Sequence, residues 1–301
     1  MGIKLYCGLS SKSWNGLAPQ TGEHCCISPV YGSKAGARRM TSVCPPISAK
    51  IIQDSGAFSD SPEERLSFKE ALVRQIAHSY RYGYYKQVVY RASYDLLIDE
   101  VWTNGNRHKR RWSVREATGA VTETIEAAKW LKKNYRSPVI LSAQGVDATQ
   151  YAECASEILP QLTDHDMFGL GGWCIIGKMP KRMMTCFDES IIKVIPMVAQ
   201  YTKRVHIWGV IYAPALGHLL WLCDQFGIAL STDSVGPSVR PCFGVWGYMG
   251  WKDKSYLRKD GHARGHDRIA HVAATRLWLD KFRDTEFYRE PIPKPKQLYL
   301  F

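Results

Sequence analysis

Two aspartates stand out by type and position. Asp54 closes the apolar run Lys50-Ile51-Ile52-Gln53 and is followed by Ser55-Gly56-Ala57-Phe58. Asp233 closes Leu230-Ser231-Thr232 ahead of Ser234-Val235-Gly236. A β-branched run that ends in an acid and small residues has the pattern of a strand delivering a carboxylate to a tight turn. Two such carboxylates in one pocket can share a reaction, one as nucleophile and the other as the group that moves protons. The bland alternatives are a turn aspartate bonding its own backbone and a helix N-cap.

The elements that must position these acids follow from the apolar pattern. Strands are predicted at Ile3–Gly8, Lys50–Gln53, Asp95–Glu100, Pro138–Leu141, Met167–Leu170, Val205–Gly209 and Ile228–Thr232, with an eighth within Val239–Trp246. Helices are predicted from Ser61-Pro62-Glu63-Glu64 to Gly83, over Ser113–Asn134, through Tyr151–Leu159, and over Asp188–Tyr201, Pro214–Phe226 and Asp267–Phe287. Pro in a first turn followed by acids is a helix start. Residues 1–49 are expected to give one strand and a long covering loop, and the proline-rich tail an extended segment. Repeated βα units imply a parallel sheet, and about eight of them favour a closed (β/α)8 TIM-type barrel over a doubly wound sheet. In a barrel the C-terminal strand ends converge on one mouth. Asp54, Asp99, Gln144, Gly171-Gly172, Trp208-Gly209 and Asp233 all fall at such ends.

Composition narrows the class. The 301 residues are taken as a single domain, with residues 242–271 as a basic, histidine-rich insertion within it. No apolar run approaches the roughly 18 residues that span a membrane, and the N-terminus lacks a secretory core, so a cytoplasmic location is expected. Nine cysteines without small-scaffold spacing argue for reduced, partly buried thiols rather than a disulfide framework. A formal charge of +12 suits a polyanionic partner whose binding weakens with salt. The cations cluster beside aromatics: Arg107, Lys109, Arg110 and Arg111 with Trp112, then Lys252, Lys254, Arg258 and Lys259 with Trp251 and Tyr256. Phosphates want cations and unstacked bases want aromatic faces.

The ordered set of strand-end residues resembles the tRNA-guanine transglycosylase family, (β/α)8 enzymes that exchange guanine for a 7-deazaguanine base. Asp54-Ser55-Gly56-Ala57-Phe58 is similar to the family's Asp-Ser-Gly-Gly-Phe turn, which carries a general acid/base. Ile98-Asp99-Glu100 resembles its Phe-Asp-Glu, Gln144-Gly145 its Gln-Gly-Gly, Gly171-Gly172-Trp173 its Gly-Gly-Leu, and Trp208-Gly209-Val210 its Met-Gly-Val, all base-contacting. Asp233 matches the nucleophile. The resemblance covers about residues 50–275. Ala57 replaces a glycine, Trp173 and Trp208 are bulkier than usual, and the three-cysteine zinc cluster is absent. A short chain with Asp-Ser-Gly-Ala-Phe is more similar to the DNA-modifying branch from phages and bacterial islands, which inserts bases such as 7-cyano-7-deazaguanine.

The resemblance implies that Asp233 traps the sugar C1′ covalently while Asp54 shuttles protons between the leaving and entering bases. Asp99 and Gln144 would read the base edge, Gly171 and Gly172 would let backbone approach it, and Trp208 and Phe58 would cover its faces. It also implies a structural zinc, with His271 where the family has its ligand. Cys242, His262 and His266 could complete one thiolate and three imidazoles around the ion. DNA would have to be flipped or melted at the target, with help from strand-opening partner proteins. Alternatives from other classes are a tRNA substrate, a non-catalytic nucleic-acid-binding barrel, and a metal-dependent barrel hydrolase using the histidine cluster.

Overall fold

The computed structural model describes residues 2–9, 24–30, 49–60, 64–98, 100–103, 106–234 and 265–291. Their strands form a closed barrel whose ring order follows the chain: β1 (Lys4–Leu9), β2 (Cys25–Ile27), β3 (Ile51–Gln53), β4 (Val88–Ala92), β7 (Val139–Ala143), β8 (Met167–Leu170), β9 (Arg204–Ile207) and β10 (Ala229–Ser234). All neighbours are parallel, and β10 returns to β1 with Lys4 opposite Ser231 and Cys7 opposite Ser234. An antiparallel hairpin, β5 (Glu100–Thr103) and β6 (Asn106–Lys109), interrupts the passage from β4 to β7. The expected (β/α)8-type architecture is therefore present.

Helices α1 (Phe68–Arg81), α2 (Val114–Asn134), α3 (Ala148–Ile158), α4 (Pro180–Val198), α5 (Ala213–Gln225) and α6 (Gly265–Asp280) pack outside the ring. Strands such as β7, buried at every position, are apolar on both faces because helices cover one and the barrel interior the other. Outward-facing Val139, Leu141, Phe168, Leu170, Val205 and Ile207 join Tyr151, Phe187 and Leu219 from the helices in the main core. Inside the ring, Tyr6, Cys26, Ile52, Ile140 and Met167 pack with Tyr90 and Trp208, so the barrel centre is filled below the mouth.

Several sequence expectations need correction. The ring closes through β2, in a stretch expected to be covering loop, and Val239–Trp246 lies outside the described residues. The strand leading toward Asp99 is β4, so Tyr94–Ile98 is loop rather than strand. Helix α1 starts at Phe68, where Ser67 and Glu70 form a capping box that satisfies two otherwise orphaned N–H groups. The same device, Ser113 with Glu116, starts α2 where expected. Helix α4 begins at Pro180 rather than Asp188, and α6 ends at Asp280 before a short 3-10 turn. Among the described residues seven cysteines form no disulfide, and no helix is long and apolar enough to cross a membrane.

Candidate active site

A cavity of about 280 Å³ opens at the C-terminal ends of the strands, and both Asp54 and Asp233 line it. That is close to the lower end of the ~300–1,000 Å³ usual for small-molecule sites.

Asp54 is presented by β3 and fixed from outside the barrel. Its N–H donates to the Ile27 carbonyl at 2.9 Å, and Gln75 of α1 donates to its carbonyl at 3.1 Å. Arg74, one residue earlier, donates to the Ser55 carbonyl at 2.9 Å and forms an ion pair with Asp60 at 2.7 Å. The chain reverses at Gly56, whose φ of +84° excludes most side chains. A Cβ there would also meet Arg74 Nη2 at 2.6 Å and Val30 at 2.7 Å. Burial, followed by the charges of Asp233 and Asp95, pushes the Asp54 carboxyl up to about 7, against the opposing backbone donors of Ser55 and Gly56.

Asp233 lies within β10 and is held from inside the barrel. Its Oδ1 accepts the Gly209 N–H at 2.8 Å and lies 3.2 Å from His206 Nε2. Gly209 reaches it through a φ of +66°, and a Cβ at that position would come within 2.9 Å of Cys174 Sγ. The Cys26 thiol, on β2 between the two acids, bonds to Asp233 as well. Burial raises that thiol well above its usual range, with the Asp233 and Asp54 charges adding to the effect.

The other expected residues divide sharply. Phe58, Gly171, Gly172, Trp208 and Gly209 line the cavity with the two acids. Trp208 is oriented by an Nε1–H bond to Ser142 Oγ at 2.8 Å. Gln144 and Trp173 do not line it. Gln144 turns outward, donating to Thr124 Oγ1 at 2.6 Å and to the Leu96 carbonyl. Trp173 is fully buried in the outer core against Tyr151 and Phe187, with the Arg111 guanidinium 4.5 Å from its ring. Asp99 lies outside the described residues.

The basic and metal residues separate in the same way. Arg111 is taken up as a clamp: it donates to the carbonyls of Gly172 and Gly145 at 2.8 Å each, which is a structural task rather than a phosphate contact. Arg110 pairs with Glu116 on the surface at 2.8 Å. Arg107 and Lys109 lie on β6. Lys252, Lys254, Arg258, Lys259, Cys242 and His262 are outside the described residues. His266 falls in the first turn of α6, and His271 is buried one turn later. Among the described residues no group of three or more metal-ligating side chains converges.

The sequence expectations missed several groups at the mouth. Asp95 is a third carboxylate, carried on the loop after β4, and Lys178 lies on the rim after β8. Ser28 lines the cavity, and its buried Oγ has no hydrogen-bond partner among the described residues. His206 gave no motif signal, because a histidine inside an apolar strand looks like ordinary core.

No family model matches this chain, and no curated protein matches it. Similar solved structures include a flavocytochrome b2 mutant with benzoylformate, 9% identical with a TM-score of 0.49. That alignment covers 95% of this chain but only 66% of the other. A protein described as a fructose-1,6-biphosphate aldolase from Coccidioides immitis is 11% identical with a TM-score of 0.49, covering 95% of this chain and 94% of that one.

Proposed function

We propose that this protein is a glycosyltransferase that replaces guanine in DNA with a 7-deazaguanine such as 7-cyano-7-deazaguanine. The observation that carries the reading is that two carboxylates, held in different ways, line one cavity at the barrel mouth. Asp54 holds a proton near neutrality, while Asp233 is gripped by donors on one oxygen. In the first half-reaction a carboxylate oxygen of Asp233 bonds to C1′ as the bond to guanine breaks. The electron pair goes to the departing nitrogen, which takes the Asp54 proton. In the second half, the nitrogen of the incoming base displaces Asp233 from C1′ and returns its proton to Asp54.

Trp208 and Phe58 supply faces for the base, and the Gly171-Gly172 backbone supplies its edge. Asp95 offers an acceptor for base N–H groups, a task the family resemblance gives to Asp99. A paired nucleotide cannot enter so narrow a site, so the target base is flipped or its strand melted. Strand-opening partner proteins would supply that step where the duplex resists. Arg107, Lys109 and Arg110 of the hairpin region, with Lys252, Lys254, Arg258 and Lys259, are the proposed phosphate contacts. A structural zinc held by Cys242, His262, His266 and His271, and a cytoplasmic location in a bacterial or phage-infected cell, complete the reading.

The test is incubation of the purified protein with DNA or tRNA and either radiolabelled guanine or 7-cyano-7-deazaguanine. Label entering DNA supports the proposal. Label entering tRNA alone moves the substrate to tRNA, and label in neither polymer rejects base exchange in favour of a binding role.

A further inference from the structure

The strongest unassigned feature is the side chain directly beneath Asp233. His206 is fully buried on β9, with Nδ1 2.9 Å from Ser231 Oγ and Nε2 3.2 Å from Asp233 Oδ1. It is wedged between rings, 6.0 Å from Tyr6 and 4.4 Å from Trp208, meeting both nearly edge-on. From the hydrogen-bonding geometry we infer that His206 is a positioning residue that donates its Nε2–H to Asp233 Oδ1 and so presents Oδ2 to the sugar carbon. This inference rests on the base-exchange reading and adds to it the residue that aims the nucleophile.

The proton inventory supports that direction. An ionised Asp233 can only accept, so a bare Nε2 facing it would set two lone pairs against each other. Ser231 can satisfy Nδ1 either way, because its hydroxyl can donate to the ring or turn to the Val205 carbonyl at 3.2 Å while accepting. The first arrangement puts the ring's one proton on Nε2, and in the second Nε2 keeps a proton only if both ring nitrogens carry one, so the carboxylate facing Nε2 rather than the serine sets the direction. The Gly209 N–H falls on the same oxygen as the imidazole, so two donors from adjoining backbone and side chain fix Oδ1. The remaining donor to this carboxylate among the described residues is the Cys26 thiol, a weak one that leaves the aiming to the imidazole and the Gly209 N–H. The ring that orients Asp233 also packs against Trp208, which ties the alignment of the nucleophile to the wall on which the base would rest.

Two substitutions and one spectroscopic measurement test this. His206→Leu keeps bulk and burial but loses the donor; it should lower kcat for labelled-guanine incorporation about 10²-fold, the cost of a misaligned reacting group. KM for guanine should change little. His206→Gln, which can donate to Asp233, should recover most of the loss. A folded His206→Leu protein at the wild-type rate, or a Gln variant no better than Leu, overturns the assignment. Nitrogen-15 NMR of the histidines covers the case in which the variants do not fold. The His206 Nε2 signal should be that of a protonated nitrogen in the wild type and should shift in Asp233→Ala; an unprotonated or unmoved signal refutes the contact. The NMR needs no substrate, so a wild type that transfers no label would reject base exchange separately from the histidine–aspartate contact.

Discussion

Around Asp54 the polypeptide is gripped from the helical layer, with Arg74 and Gln75 of α1 holding the carbonyls of Ser55 and Asp54. Around Asp233 the grip comes from the barrel interior, where His206 and the Gly209 N–H hold the carboxylate itself. One acid is therefore held through its backbone carbonyls, while its carboxyl accepts the N–H groups of its own turn, Ser55 and Gly56, and faces the repulsion of Asp233 and Asp95. The other is fixed through its side chain. The same local sequence pattern, an apolar strand followed by an acid and small residues, yields an acid held by its backbone in one place and one held by its carboxylate in the other, which the proposed function reads as proton carrier and nucleophile. The neighbours, rather than the pattern, assign the roles.

The comparison is broken most completely by removing the aimed acid. Asp233→Ala should cut incorporation more than about 10⁴-fold, as loss of a nucleophile that acts as part of a unit does. The variant should still fold cooperatively, with a melting temperature lowered by the loss of the acceptor for buried His206 and the Gly209 N–H, so folding and incorporation are read separately. Substantial label incorporation by this variant would remove Asp233 from the chemistry. Asp54→Asn should cost less, about 10²–10⁴-fold in kcat, the usual worth of general acid–base help.

Asp54 also couples stability to pH. Its folded carboxyl titrates near 7, whereas an unfolded aspartate titrates near ~4. Between those values the folded chain holds a proton that the unfolded chain has released. Stability is therefore full below about pH 4 and drains as pH rises through 7, by up to roughly 4 kcal/mol. Asp54→Asn should abolish that slope and melt higher than the wild type at pH 8, while the two converge at low pH. Thermal melts across pH 4–8 measure this. Wild-type turnover should also fall above about pH 7, where Asp54 no longer carries the proton for the leaving base.

How far this arrangement was legible varied around the ring. The β3, β7, β8, β9 and β10 ends were readable because continuous apolar runs stop at small or acidic residues. Strand β4 was not, because Arg91 interrupts it. That guanidinium is buried yet satisfied, donating to Gln53 Oε1 at 3.0 Å and Ser79 Oγ at 3.1 Å, partners far away in sequence. The more apolar Leu96-Leu97-Ile98 took its place in the prediction. Strand β2 has only three residues, too few to show a period. Gln144 and Trp173 were placed correctly along the chain but on the wrong side of it. Past a strand end the alternation of faces lapses, and only tertiary partners decide which way a side chain turns.

Loosening the grip on Asp54 should have a smaller effect than removing either acid. Arg74→Met keeps the aliphatic stem but deletes the bonds to Ser55 and Asp60, costing about 2–3 kcal/mol in denaturant melts. Incorporation should fall about tenfold through misplacement of the turn. An unchanged rate would show that the turn keeps its shape without α1.

The smallest effect is expected at Cys26, which touches the environments of both acids. Cys26→Ala removes a weak thiol donor worth about 0.5–1 kcal/mol, so the rate should change by only about two- to fivefold. Its thiol is a sharper probe than its deletion. Burial raises it first, and the charges of Asp233 and Asp54 raise it further, so alkylation by iodoacetamide at pH 8 should be slow although the residue lines the cavity. Replacing both acids by asparagine removes the charges and leaves the burial. Alkylation should then speed up while staying below that of an exposed cysteine. A wild-type Cys26 that alkylates as fast as an exposed thiol would mean the two carboxylates do not share the space around it, and the contrast between them would lose its physical basis.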